Sequence, residues 1–408
     1  MRIVTFLRKT DLVFGSTTHR MTVSIDPYKP YIMPDVFYQS ILDNEKIRSQ
    51  IYKVSDFRPR NPYFNKRAVI PGSSVLVYNG SGGYGDQIMT WPLLSILNRL
   101  GYKVSVLFDP GNHFCYYGLD FLKSSHVSVI QKSIVDMYDS VLFMDTVVNA
   151  DEHADQLHPV DTMLNLAGIE PSDIEDSEKV FRPNFFSSEY EEAEKIRNRI
   201  LGNGKFIIFQ TDSSSVTRRL PEEAVYSFLV ALADRFSDHK ILCIGDFRDR
   251  INLLKYLYKD TSGDISQKLN DPSNIKDPRL IPYRASDLRV LWALTEKASC
   301  VVGFDSMMVH VSGSLGVPCV SMWGPIDPMK RIAYYDKSVP LADLSACQHA
   351  HCFHAKKEFP PYCPTGQLIG CCGVMSGIKP EEVCDAVASL ITEKSTEIVK
   401  NNVLPYEF

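Results

Sequence analysis

Short apolar runs alternate with longer mixed stretches along most of this chain, and their two periods mark out the elements they predict. SVLVYN at 74–79 and KVSVLF at 103–108 read as buried strands, and 87–100 between them carries a helical pattern. VSVIQ and SVLFMD continue the strand series to residue 145. This is the rhythm of a parallel sheet with helices on its faces. SSEYEEAEKIRNRILGNG at 187–204 is a charged helix ended by Gly202 and Gly204, a natural place for a change of domain. A second series follows, with strands at KFIIFQ, KILCIGD, CVVGFD and VPCVSMWG and helices at EEAVYSFLVALADRF, ASDLRVLWALTEKA and SMMVHVSGSLG. One more helix is predicted from Lys379 to about Lys394, with Pro380 in its first turn. Residues 1–70 read differently, as short irregular elements with turn signals at Asp26-Pro27, Lys29-Pro30 and Arg60-Asn61-Pro62. The pattern predicts an α/β chain of two successive doubly wound modules.

Composition narrows the class only a little. A chain of 408 residues suits two domains, each able to bury a core. Its formal net charge of -5 gives no global basic field for nucleic acid, although a local patch stays open. No apolar run reaches the length a bilayer demands, and the opening MRIVTFLRKTD lacks the long apolar stretch of a secretory signal. Ten cysteines in a chain of this size do not make a disulfide scaffold, so reduced thiols and a cytoplasmic location are expected.

The first strand-to-helix connection carries chemistry. Gly80, Gly82 and Gly85 spell G-x-G-x-x-G, and Asp109 closes the next strand, the outline of a dinucleotide-binding fingerprint. A loop containing Gly82, Gly83 and Gly85 gathers backbone N–H groups at a helix start and favours an anion there. Yet the residue after the last glycine is Asp86, whose carboxylate would repel a pyrophosphate at short range. Pro92 also places the start of the helix near Trp91. Three readings of Asp86 stay open: beside a cofactor phosphate, as a helix N-cap, or as a catalytic carboxylate.

VVGFDSMMVHVSGSLGVPCVSMWGPIDPMKR at 301–331 is the most specific stretch. It resembles the family 9 glycosyltransferases, among them bacterial ADP-heptose:lipopolysaccharide heptosyltransferases. Their signature runs approximately D-[ST]-G-x-x-H-x-A-x-A-L-G-x-P and then [FW]-G-P-T-x-P. Asp305, Ser306, His310, Leu315, Gly316, Pro318, Gly324, Pro325 and Pro328 match it. GGYGDQIMTWPLL resembles the family's N-terminal motif, with Asp86 at the proposed base. SSSVTRRLPEEAVYSFLVAL resembles the stretch with a phosphate-binding lysine, whose position Arg218 takes. CIGDFRDRINLL places Asp249 where the family has a ribose-binding acid.

The resemblance implies a GT-B fold, two Rossmann-like domains facing across a cleft. It divides the chain into an acceptor-side domain at 1–185, whose residues 1–70 are an extension, a nucleotide-sugar domain at 186–385, and a helix and tail at 386–408. It implies an inverting, metal-independent glycosyltransferase with no cofactor beyond an ADP- or UDP-linked sugar donor. Asp86 would be the general base, and Arg218, Asp249, Asp305, Ser306, Met307 and His310 would bind the donor. Met307 stands where the family has glycine, and Ile326 where it has threonine. Read without the resemblance, Arg218 is equally a solvated surface charge, Asp305 and Ser306 are helix caps, and His310 is a buried structural histidine.

Two further segments are singled out. CQHAHCFHAKKEFPPYCPTGQLIGCC at 347–372 holds Cys347, Cys352, Cys363 and Cys371, candidate zinc ligands without C-x-x-C pairing, and free thiols are the favoured reading. FRPRNPYFNKR at 57–67 interleaves Arg58, Arg60 and Lys66 with Tyr63, candidate acceptor contacts able to meet phosphates and stack on bases. A lipopolysaccharide or other glycan acceptor is expected. The alternatives are a DNA glycosyltransferase acting on a hydroxymethylated base, a sugar-nucleotide epimerase and an NAD-dependent oxidoreductase.

Overall fold

The computed structural model describes residues 1–15, 20–57, 72–80, 83–109, 111–144, 157–213, 215–247, 250–260, 272–350, 352 and 372–392. The chain divides into two compact units, Met1–Asn184 and Phe185–Phe408.

Among the described residues the first unit holds ten strands: β1 (Arg2–Phe6), β2 (Thr10–Gly15), β3 (Arg20–Ile25), β4 (Pro30–Met33), β5 (Ile51–Asp56), β6 (Ser74–Asn79), β7 (Lys103–Phe108), β8 (Ser124–Val127), β9 (Ile130–Gln131) and β10 (Ser140–Met144). β10, β6, β7 and β8 form a parallel sheet in that order. β5, β1, β4 and β9 form an antiparallel sheet, and β2 and β3 pair as an antiparallel ribbon.

The described residues of 1–56 therefore form a strand-rich layer rather than short irregular elements. Alternation along β4 shows how the layer works. Tyr31 and Met33 join Val4, Phe6, Leu12, Ile25 and Ile41 in one core, whereas Ile32 joins Leu76, Tyr78 and Leu107 in another. The antiparallel sheet thus packs one face on the parallel sheet, where a doubly wound module would place helices. The VSVIQ run is a second correction. Its Ile130–Gln131 pairs antiparallel with β4 and belongs to this extra sheet. A two-residue strand is placed by its partner, not by its own pattern.

The helix after β6 runs Tyr84–Arg99 and contains Pro92, so it does not begin near Trp91. An internal proline loses one backbone bond and crowds the preceding turn, at a cost of about 3 kcal/mol. Burial offsets this, because Gln87 through Leu94 are all buried.

The second unit holds β11 (Lys205–Gln210), β12 (His239–Ile244), β13 (Leu280–Tyr283), β14 (Cys300–Phe304), β15 (Cys319–Met322) and β16 (Ser338–Leu341). They form one parallel sheet in the order β13-β12-β11-β14-β15-β16. Phe206–Phe209 and all of β14 are buried, as expected of strands covered on both faces. Helices Glu222–Arg235, Ile251–Leu257 and Pro380–Thr392 pack as one group, and Ser187–Ile196, Leu288–Thr295 and Met307–Leu315 as another. The helix Pro380–Thr392 runs through position 386 and packs on Glu222–Arg235, so no boundary separates it from this unit.

Candidate functional site

Strand order in the second sheet runs outward in opposite directions from the neighbours β11 and β14. Ligands of open α/β sheets bind at such a switch point, beyond the carboxyl ends of the strands. The last residue of β11 and the residues following β11 and β14 meet there. Gln210 Nε2 donates to Ser306 Oγ at 2.9 Å, and Ser213 Oγ donates to the Asp305 carbonyl at 3.4 Å. From the short turn Val216–Arg218, Arg218 Nη1 donates to both the carbonyl and the Oδ2 of Asp305, each at 3.3 Å. Arg218, Asp305 and Ser306 are thereby brought together, and the Arg218 side chain keeps 27% of its exposure.

Ser306 occupies the N-cap position of Met307–Leu315, but its side chain makes no capping bond. The first amides of a helix have no partner within the helix, and their summed dipole favours an anion. Met307 sits at the first helical position, half-buried. His310 lies one turn deeper, buried, with Nδ1 3.1 Å from the Tyr335 hydroxyl. Burial lowers its pKa to about 4; the neighbouring Asp305 opposes this, while Arg331 and Arg218 add to it. The ring is neutral near pH 7. Tyr335 also packs over Gly313, where any added Cβ would collide with its ring.

Sequence reasoning missed the groups that brace this cluster. Asp212 Oδ1 accepts from Ser213 N at 2.8 Å, from Arg219 Nη1 at 3.1 Å and from the buried Arg250 Nη2 at 3.2 Å. Arg250 Nη1 donates to the Leu220 carbonyl at 2.8 Å, so one guanidinium ties the turn bearing Arg218 to the loop after β12. The available signal was position. Gln210 ends and Asp212 follows the strand that opens the second module, where a switch-point site would fall, but strand order is not written in the sequence.

In the first unit the glycine connection leaves β6 beside β10, with Gly80 N donating to the Met144 carbonyl at 2.9 Å. Gly83, not Asp86, is the N-cap residue of the helix Tyr84–Arg99, and Asp86 is the third residue of its first turn. Gly85 lies between them, half-buried, and Tyr84 packs its ring 5.0 Å from that of Phe114. The Asp86 backbone is held from behind: its carbonyl accepts from Thr90 Oγ1 at 2.9 Å and Asn79 Nδ2 at 3.3 Å. Its half-buried carboxylate lies back over Gly83, where an added Cβ would stand 2.6 Å from Oδ2. The acid of the dinucleotide reading is otherwise engaged. Asp109 accepts from the Tyr78 hydroxyl at 3.0 Å, and burial raises its pKa against the hydrogen bonds from Ser128 and Tyr78.

Arg58, Arg60, Tyr63, Lys66, Gly82, Asp249, Cys363 and Cys371 lie outside the described residues. Of the zinc candidates, Cys347 and Cys352 are half-buried, as is Cys372. Burial raises the Cys372 thiol, and Cys352 and Cys347 add to the shift. Among the described residues no group of three or more His, Cys, Asp or Glu is arranged to hold a metal ion. Among them also, no helix is long and apolar enough to cross a membrane.

Residues 279–363 match the family model described as Glycosyltransferase family 9 (heptosyltransferase). That stretch contains Asp305, the partner of Arg218, and Ser306, the partner of Gln210. Two solved structures align with nearly their whole length on 78% of this chain: E. coli ADP-heptose lps heptosyltransferase II (13% identity, 98% of that chain, TM-score 0.55) and the glycosyl transferase family 9 from Veillonella parvula DSM 2008 (15%, 97%, 0.54). The dodecameric iron-containing heptosyltransferase TibC, solved with ADP-D-beta-D-heptose, covers 95% of each chain at 9% identity and TM-score 0.51. The sequence matches no curated protein. The fold is thus GT-B and the class glycosyltransferase. Its family resemblance is to family 9, carried in sequence by residues 279–363.

Proposed function

We propose that this chain transfers a sugar, with inversion, from a nucleoside-diphosphate donor to an acceptor hydroxyl. Asp86 takes the acceptor's proton, the freed oxygen attacks the sugar's anomeric carbon, and the bond from that carbon to the diphosphate breaks. Arg218, the Ser306 hydroxyl and the first amides of Met307–Leu315 hold the negative charge that leaves. Asp249 contacts the nucleoside, and His310 supports the clasp as a neutral ring.

The observation that carries this reading is the meeting of an arginine, a hydroxyl and an uncapped helix start at the switch point of the second sheet. An ADP-linked sugar is the proposed donor, since heptosyltransferase II and TibC are described with ADP-heptose compounds. The proposed acceptor is a glycan hydroxyl, as the lipopolysaccharide acceptor of heptosyltransferase II suggests by analogy. The chemistry written above needs no metal. TibC is described as iron-containing, so transfer that survives chelation supports the metal-independent route here.

The test is a panel of nucleoside diphosphates and nucleotide sugars read by thermal denaturation. A ligand at a hundred times its Kd stabilises the native state by about 2.7 kcal/mol. ADP or UDP should raise the melting temperature of the wild type, and Arg218→Met should remove most of that rise. A panel without any stabilising nucleotide overturns the proposal.

A further inference from the structure

We infer that Gln210 is a positioning residue for the donor's diphosphate: it holds the Ser306 hydroxyl away from its own helix, so that hydroxyl and helix amides both remain for phosphate. This rests on the function proposed above. A serine at an N-cap ordinarily turns its oxygen back onto an amide of the first turn. Ser306 has the N-cap position and an extended backbone, φ -163° and ψ 176°, yet makes no such bond. Its oxygen accepts from Gln210 Nε2 instead, at 2.9 Å. With that lone pair engaged, the hydroxyl proton is directed away from Gln210 and is available to an incoming oxygen anion.

Gln210 is well placed to impose this. It is the last residue of β11, in register with Ile244 of β12, so its backbone is fixed by the sheet. Its Oε1 lies over Gly303 of β14, where an added Cβ would stand 3.4 Å away, in ordinary van der Waals contact. That Oε1 is buried and has no partner among the described residues. A buried acceptor left unmatched is unfavourable. The contribution of this side chain therefore lies at its other end, in the contact with Ser306. Without that contact Ser306 is free to cap its helix, which would occupy one amide of the anion site and turn the hydroxyl back toward its own first turn.

The experiment measures ADP and AMP binding by calorimetry to the full-length wild type, Gln210→Met, Ser306→Ala and the double variant. Each single change should weaken ADP by about tenfold. AMP, which lacks the second phosphate, should be affected by less than about twofold. The double variant should bind ADP no more weakly than Ser306→Ala alone, because Gln210 acts through Ser306. The melting temperature of Gln210→Met should stay level or rise. If that variant does not fold, Gln210→Glu carries the test: its carboxylate accepts the Ser306 proton and should weaken ADP in the same Ser306-dependent way. Wild-type ADP affinity in Gln210→Met, or an equal loss in the Ser306→Ala background, overturns the inference alone. A wild type that binds no nucleoside diphosphate overturns the proposed function with it.

Discussion

In the first unit β6 ends at Asn79 and leads into a helix whose first turn carries a carboxylate, Asp86, folded over the N-cap Gly83. In the second, β14 ends at Phe304 and leads into a helix whose first turn carries no acid. There the N-cap serine is drawn aside by Gln210, and Arg218 stands beside it. The two connections are the same strand-to-helix device at the carboxyl edge of a parallel sheet. A helix start that already has a carboxylate is a poor anion site and a good place to hold a base. A helix start left uncapped beside a guanidinium is the converse. The lesson is that the same succession of parallel strand and helix start serves opposite chemistry according to the side chains placed at the helix's first turn.

The largest expected effect tests that division directly. Asp86→Asn should cut turnover by about 10²- to 10⁴-fold while nucleotide affinity stays near that of the wild type, as read by steady-state assay and calorimetry. Equal losses in both would erase the contrast between the units. Next comes a change that should touch only the second unit's stability. Arg289 Nε and Nη2 meet Glu189 Oε1 and Oε2 at 2.5 and 2.9 Å, both side chains buried, with the Phe185 ring 5.0 Å from the guanidinium. Arg289→Met leaves a buried carboxylate unpaired and should cost about 3–5 kcal/mol in urea denaturation. The first unit's transition should be unmoved.

Gly83→Ala sharpens the comparison more gently. Its backbone, φ -80° and ψ 133°, accepts alanine, but the new Cβ would stand 2.6 Å from Asp86 Oδ2 and displace it. Turnover should fall about tenfold, with no more than about 1 kcal/mol of stability lost at the cap. The smallest effect concerns pH. Burial holds the His310 pKa at about 4, below the ordinary 6.5 of the unfolded chain. Between those values the unfolded state binds the extra proton, so the stability present above about pH 6.5 is lost as pH falls toward about 4. His310→Asn should flatten that part of the stability profile. An unchanged profile would show that the ring is not held neutral.

Much of the parallel-strand scaffold was legible because six-residue apolar runs separated by amphipathic stretches leave little choice of element. Asp86, Arg218, Asp305 and Ser306 were singled out by the motifs they sit in, and the sequence could pair Arg218 with Asp305 only through the resemblance, because their contact joins residues 87 positions apart. Pro92 misled because its local penalty is offset by burial along the whole helix. Residues 1–56 misled for the opposite reason: their strands are short, and much of their apolar surface is buried only against one another and the parallel sheet.

By itself, then, the sequence determined the α/β class, the succession of two modules and the identity of the groups at the strand ends, since periodicity and residue type act over a few positions. Tertiary structure decided the rest. It set the strand order that creates the switch point, the antiparallel layer on the first sheet, and the turning of Ser306 toward Gln210 rather than its own helix. Each of those depends on residues far apart in the chain, the last pair 96 positions, and no local pattern encodes which distant partner supplies the hydrogen bond.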